Sequence, residues 1–224
     1  MQRRQALSWL ASSGALALTA ASSPAAAARR PEPAEPLADN ATLLADNATL
    51  LADNATLLAD NATLLASLGE RAPGEPALRR WQWIVVHHTA AEYATLPGID
   101  RYHRNHFGDP LGAEYHFIIN NGKKDGARRP IGSIEAARWR HQEPAWHLFK
   151  PDNAPDSLAI CLVGNFETRA LPGEMLRALS ELTRALMKLC EIPRERVSTH
   201  RVVDEKMTQC PGKLFPREAF LAGL

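Results

Sequence analysis

Apolar residues change their period along this 224-residue chain, and the changes divide it into segments. From Ala41 to Leu65, alanine and leucine recur at spacings of three and four, through Ala41, Leu44, Ala48, Leu51, Ala55, Leu58, Ala62 and Leu65. This is the spacing of a helical seam. It arises from a perfect repeat, Leu-Ala-Asp-Asn-Ala-Thr-Leu, which occurs four times between Leu37 and Leu64. Asp, Asn and Thr are mediocre helix formers, and alanine fills a seam position weakly. Two readings of the repeat therefore stand: a marginal helical spacer, about 42 Å long if fully wound, or a low-complexity tether. Pro31, Pro33 and Pro36 precede the repeat, and residues 70–76, with Pro73-Gly74, close it.

Beyond residue 78 the periods of strand and helix alternate. Trp83 to His87 is a short apolar run rich in β-branched residues, which predicts a buried strand. Ile99 to His106 has helical character and stops at Gly108-Asp109-Pro110. Tyr115 to Ile119 and Leu158 to Val163 read as further strands, the first turned by Asn120-Asn121-Gly122 and the second bounded by Gly164. Leu176, Leu179, Leu182, Leu186 and Leu189 place an amphipathic helix over residues 173–189, ended by Pro193. Strands alternating with helices predict an α/β fold, a single domain with a central mixed β-sheet flanked by helices over residues 78–224. The segment 29–77 is then a Pro-rich linker and repeat spacer.

The first 28 residues read as an export signal. Arg3-Arg4 precede an apolar stretch from Ala6 to Ala20, and small residues run on to Ala28. Arg3-Arg4-Gln5-Ala6-Leu7 resembles the twin-arginine signal, with Ala6 where a Phe is usual. The stretch is too short and too weakly apolar for a transmembrane helix. The expected location is the periplasm or cell envelope, with no integral membrane segment once the signal is removed. Lys and Arg total 26 against 25 Asp and Glu, so charge gives no case for nucleic acid as partner. Three cysteines, Cys161, Cys190 and Cys210, cannot make a disulfide framework. Nothing in the pattern brings Cys161 and Cys190 together, and both are expected to be free thiols.

Candidate chemistry lies in the histidines and the last cysteine. All eight histidines fall between His87 and His200. His87-His88 ends the first strand, and strand neighbours point to opposite faces, so one of the pair can face a site; parity alone does not say which. His200 follows the β-branched step Val197-Ser198-Thr199, and Cys210 lies ten residues on. Two imidazoles and a thiolate make a three-ligand zinc site whose fourth tetrahedral position is open. The competing readings are a hydrogen-bonded histidine at a strand end and a buried structural thiol.

Seven segments in unbroken order resemble one family. Ile84-Val85-Val86-His87-His88-Thr89-Ala90, Ile99-Asp100-Arg101-Tyr102-His103, Glu114-Tyr115-His116-Phe117-Ile118-Ile119, Ala145-Trp146-His147, Ser157 to Phe166, Thr199-His200-Arg201 and Thr208-Gln209-Cys210-Pro211-Gly212 are similar to motifs of the type 2 N-acetylmuramoyl-L-alanine amidases and the peptidoglycan recognition proteins. The resemblance runs from Trp81 to Pro216. It implies a zinc hydrolase that cuts the amide between N-acetylmuramic acid and L-alanine in peptidoglycan or muropeptides, working as a monomer. His87, His200 and Cys210 resemble the Zn2+ ligands. Tyr115 resembles the tyrosine that donates to oxygen as charge develops, Thr208 a second donor, and His147 a substrate-binding residue. Strand parity places Phe117 and Ile119 on the side of Tyr115, and His116 on the other, as a residue of the core or one that supports the site from behind. Arg138, or Arg140, is a candidate partner for a stem-peptide carboxylate; the plainer reading is a solvated basic loop.

Three departures from the family pattern bear on the chemistry. The step from His200 to Cys210 is two residues longer than usual, and the excess is expected to bulge within Val202 to Met207. Thr208 stands where some members carry a catalytic lysine. Cys161 stands where one branch carries a glutamate. Some relatives bind peptidoglycan without cutting it and typically lack the cysteine, so Cys210 favours an enzyme over a recognition module. A cysteine hydrolase using Cys210 and His200 is the other alternative, and chelation separates it from a zinc enzyme.

Overall fold

The computed structural model describes residues 40–224; the segment read as an export signal lies outside the described residues. The elements in chain order are α1 (Asn40–Ser67), β1 (Trp83–His88), α2 (Leu96–Phe107), β2 (Phe117–Ile119), β3 (Ile134–Ala136), β4 (Ser157–Leu162), α3 (Gly173–Cys190), β5 (Val197–Thr199), α4 (His200–Val203) and α5 (Arg217–Ala222). The five strands form one mixed sheet in the order β3-β2-β4-β1-β5. β1 lies parallel to both β4 and β5, β2 lies parallel to β4, and β3 closes one edge antiparallel to β2. This is the α/β architecture expected from the alternating periods.

The buried apolar runs of β1 and β4 are what the centre of a parallel sheet requires, since both faces are covered. One face, through Ile84, Val86, Leu158, Ile160, Leu162, Phe117 and Ile119, forms a core with Met175, Leu179, Leu182 and Leu186 of α3. Those four side chains are fully buried. Leu176 and Leu189, read from spacing as part of the same face, are only partly buried. The other face carries Val85, Ile118 and Cys161 in separate smaller clusters. His87 follows Val85 by two and sits beside Cys161 in the β1–β4 register, so alternation turns it to this second face. α2 starts at Thr95, whose hydroxyl accepts the Gly98 N–H, and stops at Gly108 in the left-handed region.

The parity argument for Tyr115 fails. β2 begins at Phe117, and the alternation does not extend back to Tyr115. Tyr115 packs with Ile118 and Cys161 on the second face, whereas Phe117 and Ile119 lie in the α3 core. The irregular step at residues 115–116 turns both side chains relative to a regular strand. His116 is in the core as expected: its Nδ1 accepts the Ala159 N–H, and its ring meets Trp81 edge-on.

The repeat is helical through α1, 28 residues long. The face that docks only partly matches the Ala/Leu seam read from the sequence, sharing Leu65 with it. Leu44 and Leu51 of that seam are 70% exposed, while Leu57, Asn61 and Leu68 are buried. Asn61 explains the choice of face. Its Nδ2 donates to the Gly132 carbonyl at 3.0 Å, and its Oδ1 accepts the Ile134 N–H at 3.1 Å. One side-chain amide thus satisfies the open edge of β3, which would otherwise be left as a template for strand pairing. Leu65 and Leu68 pack into the α3 core, so the packed unit reaches back before residue 78. No helix among the described residues is long and apolar enough to cross a membrane.

Candidate metal centre

His87, His200 and Cys210 converge above the ends of β1 and β5. Each is buried, and one ligand atom from each lies within 4.8 Å of the others. His87 comes from the end of strand β1, His200 from the junction of β5 with α4, and Cys210 from the loop after α4. Gly212 holds that loop close. It takes φ +110°, and a Cβ there would stand 2.3 Å from the carbonyl carbon of Phe166. His88 N–H donates to Cys210 Sγ at 3.3 Å, and its ring turns away to accept the Phe166 N–H. The pair is thereby resolved: His87 faces the cluster.

The protonation states suit a metal. Burial, then the neighbouring His147, His200 and His88, hold the His87 pKa well below its ordinary value. Burial also lowers His200, against the opposing pull of Asp204. Both imidazoles are neutral and carry lone pairs. Burial pushes the Cys210 thiol up to about 12, so a thiolate there needs a cation beside it. The Sγ of Cys210 and Nδ1 of His87 are 3.7 Å apart. Tetrahedral zinc at its usual bond lengths would set them about 3.6 Å apart. The donor set and spacing fit zinc.

Two further networks orient the imidazoles. His87 Nε2 is 2.9 Å from His147 Nδ1, and His147 Nε2 is 2.9 Å from Ser157 Oγ. With Nδ1 of His87 turned to Cys210, Nε2 carries the proton and donates to His147, which donates in turn to Ser157. Burial holds the His147 pKa down to about 3, so this ring stays neutral. On the other side, His200 Nε2 is 2.8 Å from Asp204 Oδ2, which leaves Nδ1 as the ligand atom. Asp204 is fully buried and also accepts the main-chain N–H groups of Phe149 and Lys150. Between α4 and Cys210 the chain makes a tight turn, within the stretch where a bulge was expected. The one helical turn of α4 brings Asp204 back to His200, and Glu205 and Lys206 then take positive φ.

The remaining residues named from sequence fall in three groups. Tyr115 and Thr208 line the hollow beside the cluster, about 660 Å³ in volume. The Tyr115 ring centre is 5.5 Å from that of His87. Burial, with Cys161 and Cys210 nearby, holds the Tyr115 pKa well above its ordinary value, so the hydroxyl stays a donor. Thr208 Oγ1 accepts the Cys210 N–H at 3.1 Å, which frees its proton to point elsewhere. His147 also borders the hollow, but both its ring nitrogens are engaged, so its place is behind His87 rather than as a free contact for substrate. Arg138 is a correction. It is 3% exposed and pairs with Asp109. It also donates to the carbonyls of Ala113, Gly112 and Pro144, leaving nothing for a stem carboxylate. Arg140 is exposed. All three cysteines are free thiols.

Comparisons with known proteins bear on the family and the fold. The profile of the Amidase_2 family, N-acetylmuramoyl-L-alanine amidase, matches residues 77–213. The chain belongs to this family. Among solved structures, the endolysin N-acetylmuramoyl-L-alanine amidase LysCS from Clostridium intestinale URNW is 27% identical, with a TM-score of 0.53 over 64% of this chain and 82% of that one. LysC from the same organism gives the same identity and TM-score over 64% of this chain and 84% of its own. The peptidoglycan recognition protein PGRP-SA of Apis mellifera shares the fold at 20% identity and a TM-score of 0.50, over 63% of this chain and 82% of that one. A comparison with curated proteins found no match. As an Amidase_2 member, the chain carries its whole cluster of His87, His200 and Cys210 inside the matched region. Sequence reading missed Asp204 and Ser157. Asp204 had a signal, an acid four residues after a histidine on a helical turn; Ser157 had none.

Proposed function

We propose that this amidase is a zinc enzyme that hydrolyses the bond between N-acetylmuramic acid and L-alanine in peptidoglycan or muropeptides. The observation that carries the reading is the buried His87–His200–Cys210 cluster opening onto a hollow lined by Tyr115 and Thr208. A zinc ion held there would supply a Lewis acid for the scissile carbonyl and an acidified water. The chain's own residues do the rest. His147 and Asp204 fix the ring planes of the two imidazoles, as hydrogen-bonded partners of metal-ligating histidines commonly do. Tyr115, kept protonated by burial, donates to the oxygen that gains charge during attack, and Thr208 donates beside it. Cys161 of β4, where one branch of the family carries a glutamate, stays a neutral thiol, its pKa held well above the ordinary value by burial.

The proposal extends to setting. The amino-terminal pattern supports export, with peptidoglycan in the envelope as the substrate encountered there. The test is mass spectrometry of muropeptides after incubation, with and without a chelator. Release of free stem peptide, lost on chelation and restored by zinc, is expected. Cleavage that survives complete metal removal would point instead to a thiol hydrolase, and binding without cleavage to a recognition module.

A further inference from the structure

The hollow beside the metal-ligand cluster does not end there. A second hollow, about 890 Å³ in volume, adjoins it at Phe107, Glu114 and Trp146, which line both. Its walls combine exposed aromatic rings with acids. Phe107, Trp146 and Phe149 are 62%, 76% and 64% exposed. The acids are Asp109, Glu114 and Glu143, and they are not equivalent. Asp109 is spent on Arg138, and Glu143 is open to water.

Glu114 differs from both. It is only 6% exposed, yet it has no ion-pair partner among the described residues. Its carboxylate lies beside the main chain of Trp146, and its own main-chain N–H donates to His103 Nδ1. Arg138 is near, but its guanidinium is already committed to Asp109 and three carbonyls. Burial, with the Asp109 charge, raises the Glu114 pKa, the mark of a carboxylate short of positive charge. A buried carboxylate without a counter-ion is costly, and a ligand that brings a cation removes the cost. An aromatic face alongside attracts the same ligand, because its quadrupole is negative over the ring. A carboxylate beside exposed rings is chemistry for an alkyl ammonium group.

We propose that Glu114, with Trp146 beside it, binds the free side-chain ammonium of the diamino residue in the stem peptide. The inference rests on the amidase reading and adds a preference to it. Lysine and diaminopimelate both carry such an amine. Cross-linking turns that amine into an amide, which is neutral and bulkier. The enzyme therefore favours stems whose amine is free over stems that are cross-linked.

The test compares two muropeptide pairs, one with lysine and one with diaminopimelate, each with its side-chain amine free or N-acetylated. The wild-type chain is expected to favour the free amine by about tenfold or more in kcat/KM, the scale on which a site loses a substrate that no longer pairs its polar group. Glu114→Gln should bring that ratio close to one. Trp146→Ala should reduce the ratio partly. Equal cleavage of free and acetylated substrates by the wild type overturns the proposal, as does a Glu114→Gln variant that keeps the preference. A preference in the lysine pair alone, or the diaminopimelate pair alone, also overturns it, because the group recognised would then not be the amine they share. Calorimetry with the zinc-free chain reads the same ratio as binding constants. If neither muropeptide is cut, the amidase reading fails, while the binding ratio still decides the fate of Glu114.

Discussion

At the scale of single residues, the centre separates ligands from the groups that aim them, and the two respond differently to mutation. Cys210→Ser removes the only formal negative charge that the chain offers the metal. Its zinc content should collapse, and hydrolysis with it, while muropeptide binding largely persists; metal analysis alongside a cleavage assay reads both. Asp204→Asn keeps every ligand but weakens the hold on His200. Zinc affinity should fall by about 10- to 100-fold, measured by competition with a chromogenic chelator. Thr208→Ala keeps the zinc and should lose about 10- to 100-fold in rate, the effect of one of the weaker oxyanion donors. Much of this centre was legible in the chain. His87, His200 and Cys210 are a ligand set by residue type, and the family motifs pick out the first histidine of the pair. Arg138 was misread because its charge is visible in sequence but its burial against Asp109 is not. Asp204 was missed although its spacing of four from His200 was visible, because spacing alone does not show that α4 winds through the step between them.

At the scale of elements, strong periodicity was read correctly and weak boundaries were not. The apolar runs of β1 and β4 and the leucine spacing of α3 are signals several residues long. β3 has three half-buried residues and no such signal. β2 was extended back to Tyr115 because alternation was assumed to hold up to the end of a strand, where irregular backbone commonly breaks it. For α1, periodicity gave the element but not the face. Four identical heptads offer the same side chains, and tertiary contact picks among them. Asn61 and Asn54 occupy the same repeat position, yet only Asn61 bonds the β3 edge, while Asn54 is exposed. Asn61→Ala should therefore destabilise the chain by about 1–3 kcal/mol, since it strands a main-chain donor and an acceptor. Asn54→Ala should change stability by less than about 0.5 kcal/mol. Urea unfolding of the two variants checks the contrast.

At the scale of the whole molecule, the catalytic region and the repeat share a core. A chain cut at Leu78 keeps every residue of the metal centre and should still cleave muropeptides. It loses the Leu68 side chain from the α3 core, which for a buried leucine costs about 2–5 kcal/mol. Its melting temperature should fall well below that of a chain beginning at Leu57. The neutral buried histidines set a pH limit on the zinc-free form. His88 and His147, held by burial at about 4 and about 3, stay unprotonated in the folded chain while their unfolded counterparts take up protons below about 6.5. The unfolded state then binds more protons, so stability is full above pH 6.5 and falls steadily towards pH 4; thermal scans across that range would show it. The docked end of α1 carries a last consequence. Leu68 stands where a fifth heptad would place another Asn, and it is buried in the core. A helix slid by one heptad would press Asn61 into that apolar position, so only one alignment is comfortable. The anchorage is thus indifferent to how many heptads precede it. Adding or deleting a unit would lengthen or shorten the free arm by about 10.5 Å and swing its tip by only about 20°. The repeat number works as a ruler, graduated in steps of one heptad, that can change its length without touching the catalytic fold.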